Sequence, residues 1–106
     1  MQFDVNETLA GMMGAMQKQF SKDWPLIKSA AHQFLQARIL RLALLAELRL
    51  TGQLSPAFFA ERMKDEQLLL QSELHAITIV SLAAAQRAAR AALQVFTRAV
   101  DKALPI

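Results

Sequence analysis

Apolar side chains recur at steps of three and four along nearly the whole chain, the spacing that lines one face of an α-helix. The first such run holds Leu9, Met12, Met13, Met16 and Phe20, and opens near Asp4, which with Glu7 has the spacing of a capping-box variant. Gly11 and Gly14 lie inside it, each costing about 1 kcal/mol against alanine in a helix interior. The second run, from Leu26 to Leu50, carries Ile27, Ala30, Ala31, Phe34, Leu35, Leu42, Leu45 and Leu48. Lys28, His32, Gln33 and Gln36 mark its wetter face, and Arg38 and Arg41 interrupt the apolar side. The third run extends from Pro56 to about Ala103 without an internal glycine or proline, and Pro105 ends it. As a single straight helix it spans roughly 70 Å at about 1.5 Å per residue.

The punctuation between the runs predicts their arrangement. Pro25 removes a backbone donor and biases Trp24 away from helical dihedrals, so a new helix starts there or one long helix kinks. Between Leu50 and Phe59 the signals are denser: Gly52 suits a left-handed helix terminus, Ser55 an N-cap and Pro56 the first helical position. Leu54 and Phe59 are spaced as a hydrophobic staple. So short a connection makes the flanking helices antiparallel neighbours. The predicted fold is all-α: a single domain over residues 1–106 with helices near 5–22, 25–51 and 56–103, an antiparallel hairpin of long helices with the N-terminal helix folding back on it.

With the turn centred on Gln53, residues level across the hairpin have numbers that sum to about 106. Arg41 is then level with Asp65, and Glu47 lies within a turn of Arg62, two candidate ion pairs. The same register brings Gly14 to Ala92 and Gly11 to Val95, where missing side chains would let backbones approach. Charge agrees with the pairing. Residues 26–55 hold four Lys/Arg against one Glu, and residues 56–80 two against four acidic groups, so the inner arms are opposite in sign.

Composition adds a demand for a partner. The chain has 106 residues, 54% of them hydrophobic, and a two-helix hairpin is too thin to hide that much apolar surface. Once Ala84, Ala88, Ala92, Val95 and Ala99 face the hairpin, a second ridge of Leu82, Ala85, Ala89, Leu93, Phe96 and Val100 is left over, and it is the predicted oligomer interface. Met12, Met13, Met16 and Phe20, flanked by Lys18 and Lys22, form a further adaptable surface that could meet a partner or a membrane, although core packing is the commoner use of methionine. The acidic opening residues do not resemble a signal peptide, and the uncharged run Ala76–Ala85 is too short for a bilayer.

Chemistry is sparse. With no cysteine, thiolate metal sites and cysteine nucleophiles are excluded, and a reducing, cytoplasmic location is expected. His32, Glu73 and His75 raise a metal-binding bundle as an alternative, but the Glu-x-x-His spacing that aims two ligands at one ion is missing. The stripe Arg87, Arg90 and Arg98 with Lys102 raises nucleic-acid binding, but Asp101 lies within it and no aromatic or amide base-readers accompany it. No catalytic constellation or cofactor motif is found, and the expectation is a non-enzymatic adaptor or assembly protein. It would act as a homodimer or higher homo-oligomer, with another helical protein as the other partner class and no transmembrane segment.

Overall fold

A computed structural model describes residues 3–105, so the ends of the predicted domain, Met1, Gln2 and Ile106, lie outside the described residues. Among the described residues there are four α-helices: α1 (Val5–Phe20), α2 (Trp24–Leu50), α3 (Pro56–His75) and α4 (Leu82–Ala103). Among the described residues there is no strand, and no helix is long and apolar enough to cross a membrane.

Three of the helices begin where a side chain satisfies an orphan N–H. The Asp4 carboxylate accepts from the Glu7 amide at 3.0 Å, Ser55 Oγ from Phe58 at 3.2 Å and Ser81 Oγ from Ala84 at 3.1 Å. The α2 terminus closes as a Schellman motif, with Gly52 at φ 79°, the Gln53 amide donating to the Leu48 carbonyl at 2.9 Å and the Gly52 amide to Arg49 at 3.3 Å. Leu54 is partly buried against the hydrophobic core, to which Phe59 belongs.

The expected helix 56–103 is instead two helices. After His75 the chain turns through Ala76–Ser81, where Val80 is buried and its amide donates to the Ile77 carbonyl at 2.9 Å. Ile77, Thr78, Ile79 and Val80 are four β-branched residues in succession, which weaken a helix, and Ser81 then caps the next one. In place of a rod of roughly 70 Å stands a body whose longest extent is 42 Å. At the other break a 3-10 turn, Ser21–Asp23, reverses the chain, so α1 ends at Phe20 rather than residue 22, and α2 starts at Trp24. The rings of Phe20 and Trp24 stack across this turn with centroids 6.4 Å apart.

With reversals at all three connections the helices form an up-down-up-down four-helix bundle. Asp4, the cap of α1, and Glu7 share a hollow with Lys102 and Ala99 of α4, and Pro56 and Ala60 of α3 share another with Asp101 and Thr97, pairings that define antiparallel neighbours. Helix α4 packs on both α1 and α3, with α2 diagonally across. Its small residues Ala85, Ala88, Ala89 and Ala92 are fully buried with Phe96 and Val100, and they admit the bulkier Met12, Met16, Ile27 and Leu70 to the same core.

Ser21 has φ 52° and ψ −118°, a conformation that a side chain disfavours. Relieving about 1–3 kcal/mol of backbone strain outweighs the roughly 0.5–1 kcal/mol entropic cost of glycine, so Ser21→Gly is expected to raise the melting temperature by a few degrees. Thermal denaturation followed by circular dichroism checks this, and a lowered midpoint would refute strain at the turn.

Candidate functional site

The most strongly tied polar group in the bundle is Glu66. Its side chain points from α3 toward α2, where Arg38 Nε donates to Oε1 at 3.0 Å and Arg38 Nη2 to Oε2. Arg41 Nε lies 3.5 Å from the same Oε2. Glu66 is buried, Arg38 partly so and Arg41 about half exposed, giving a two-pronged guanidinium–carboxylate pair with a second cation at its edge. The hydrogen bond to Glu66 holds the Arg38 guanidinium above its already high ordinary pKa, against the opposing effect of burial, so Arg38 stays charged.

The predicted Arg41–Asp65 pair is displaced by one position, to Arg41–Glu66, and the predicted Glu47–Arg62 pair does not form. Each residue along a helix turns a side chain by about 100°, so Glu66 faces α2 while Asp65 faces outward, 3.7 Å from Arg62 of its own helix. Glu47 is exposed and makes no ion pair among the described residues. The hairpin register itself holds, since both arginines stand level with Glu66.

Several predicted surfaces lie inside the protein. Ala85, Ala89, Leu93, Phe96 and Val100 of the expected oligomer ridge are buried within the single chain, because α1 and α3 already flank α4; of that set only Leu82, at the start of α4, is exposed. Met12, Met16 and Phe20 of the expected partner surface are likewise core, and Met13 alone is half-buried beside a groove between α1 and α2. Gly11 meets α4 as predicted: a Cβ placed on it would lie 3.0 Å from Val95 Cγ1. Gly14 does not: among the described residues nothing of a neighbouring element lies within 4 Å of its Cβ position.

The polar candidates are dispersed. Arg87, Arg90, Arg98 and Lys102 lie along the outside of α4, with Gln94 and Asp101 among them. His32 borders the α1–α2 groove, whereas Glu73 adjoins Leu70 and Phe34 on the other flank of α2, and His75 ends α3. Among the described residues no three His, Asp or Glu side chains converge as a metal site.

A different surface stands out. Leu40 is 84% exposed at the middle of α2 and Leu44 48% exposed one turn on, while α3 shows Phe58 at 55%, Leu68 at 50% and Leu69 at 45%. The Glu66 pairing sets these helices in register, with Phe58 near the level of Leu48 and Leu69 near that of Ala37. On that register Leu40 is level with Glu66 and Leu44 with Arg62, so the exposed leucines of α2 lie at the levels of Arg41, Arg62 and Asp65, with Phe58 toward the turn and Leu69 just beyond them. Contiguous apolar positions on a helical surface mark contact with another molecule more often than single exposed leucines do.

Comparisons with protein-family models, curated proteins and solved structures return no match to this chain.

Glu66→Ala leaves two arginines without their shared acceptor, and a loss of about 2–4 kcal/mol is expected, near the range for breaking a buried pair. Arg41→Ala, at the wet edge, is expected to cost less than about 1 kcal/mol. Urea unfolding of the two variants tests the contrast, and equal losses would contradict the geometry.

Proposed function

We propose that this protein is a non-enzymatic helical assembly protein that joins a second copy of itself through the outer face of the α2–α3 hairpin. The observation that carries the reading is the exposure of Leu40 and Leu44 together with Phe58 and Leu69 on one pair of helices. Of the other exposed large apolar residues, Leu68 lies about 100° around α3 from Leu69, and Leu26, Ile79 and Leu82 lie at or beside helix ends. A leucine fully removed from water contributes roughly 1.5–3 kcal/mol; Leu40 stands to gain most of that on contact, and Leu44, Phe58 and Leu69, already about half buried, a part of it each.

The charges of the face suit a twofold arrangement. An isologous interface sets the same patch against itself, and the hairpin offers both signs, Arg41 and Arg62 with Asp65, so a copy rotated by 180° can oppose unlike charges. A standard interface buries about 800 Å² on each partner, an area within reach of two adjacent helices each at least about 30 Å long. The interface belongs to the hairpin rather than to the alanine-rich helix because α4 has its neighbours within the chain. A cytoplasmic setting accords with the absence of cysteine.

Light scattering behind size exclusion, at low and high salt, is expected to give a dimer for the native chain. The pair Leu40→Glu and Leu44→Glu should yield a monomer with unchanged helicity, since both side chains already face solvent within one copy. Leu93→Glu, by contrast, should unfold the chain rather than divide a folded oligomer, because Leu93 is core. A native chain that stays monomeric at tens of micromolar, or a dimer indifferent to the paired change, would refute the assignment.

A further inference from the structure

One hollow of the bundle has no place in self-assembly. It is a groove of about 600 Å³ between α1 and α2, on the flank of α2 away from α3. The buried side chains of Leu9, Trp24 and Leu35 line its apolar depth, Met13 and Gly14 belong to the α1 wall, and Lys28 and His32 stand on the α2 wall. We propose that this groove binds a single-chain anionic amphiphile, in its simplest form a medium-chain fatty acid, with the chain along the apolar floor and the carboxylate at Lys28 and His32.

Three observations carry the proposal, and the first is size. The lining runs from Asn6 to Gln17 on α1 and from Trp24 to Gln36 on α2, a length of roughly 17 Å at 1.5 Å per residue. A groove of that length accommodates a linear hydrocarbon chain laid along it. Its volume also falls within the range of about 300–1,000 Å³ typical of small-molecule sites, and clefts between bundle helices are a usual place for them.

The second is charge. Lys28 and His32 are four residues apart on α2, so they project to the same side. The other polar lining groups are the amides of Asn6, Gln17 and Gln36, and no carboxylate lies among the lining residues. An apolar floor with one cation, one imidazole and no acid complements a negative head and opposes a positive one.

The third is Gly14. Glycine inside a helix costs about 1 kcal/mol against alanine, a cost that close approach of a neighbouring element would explain. Gly11 has that explanation in Val95, but Gly14 does not: among the described residues a Cβ there would meet nothing of a neighbouring element within 4 Å. What its missing side chain does is keep the α1 wall of the groove open.

Trp24 is the only tryptophan of the chain and lines the groove, so its fluorescence reports occupancy directly. Titration of the native chain with decanoate below its micellar concentration is expected to change Trp24 emission saturably, with decanol and decyltrimethylammonium at least tenfold weaker. Lys28→Glu should weaken decanoate at least tenfold. Gly14→Leu, which fills the wall, should abolish binding while circular dichroism remains helical. The proposal is overturned by an unsaturable response to decanoate, by decanol or the cation binding as tightly, or by decanoate binding unaltered in folded Lys28→Glu. Oligomeric state, measured alongside, separates failure here from failure of the assembly reading.

Discussion

The close approach of α1 to α4 governs the bundle. Gly11 puts the α1 backbone where a Cβ would crowd Val95, and α4 offers a buried surface of alanines at Ala85, Ala88, Ala89 and Ala92. Small residues on both sides let long side chains such as Met12, Met16 and Phe96 interdigitate at depth rather than hold the helices apart. Because α1 leans on α4, the α1–α2 seam is left wider, and the floor of that seam is the apolar groove beside Trp24 and Leu35. The Phe3 ring meets Phe96 edge to face at 5.6 Å and adds to the same contact.

The second constraint acts on the opposite flank of α2. Glu66 takes hydrogen bonds from Arg38 on both carboxylate oxygens and has Arg41 at its edge, so α2 and α3 are joined by charge where the α1–α4 contact is joined by packing. A buried carboxylate adds little net stability over an apolar replacement, but it penalises any slip that would leave it unpaired. This register matters for the exterior, since it aligns Leu40 and Leu44 with the exposed residues of α3.

Short-range signals along the chain account for most of the helix boundaries. The Asp4, Ser55 and Pro56 starts and the Gly52 stop each act on backbone groups within a few residues, and all appear where expected. The break at Ala76–Ser81 is also encoded locally, in the β-branched run and the Ser81 cap, but it holds neither glycine nor proline and so escapes a reading built on those two residues. Gly11 does approach Val95, as the unbroken-helix register predicts, although the helix is broken; reversals at Ser21–Asp23 and Ala76–Ser81 bring α1 and α4 back into antiparallel contact at that level. Of the candidate sites, the α2–α3 ion pair was legible to within one residue, because the hairpin register sets the level but not which of two adjacent carboxylates turns inward.

The helical period, the caps, the hairpin at Gly52 and the opposite charge of its arms follow from the order of residues alone, because they depend on neighbours along the chain and on gross composition. Which apolar face is core does not. Helix α4 is apolar or small around most of its circumference, so nothing local distinguishes a ridge awaiting a second molecule from one covered by the same chain. That distinction belongs to the packed bundle, where a turn of six residues brings α3 alongside α4, covers Leu93 and Phe96, and leaves Leu40 in water.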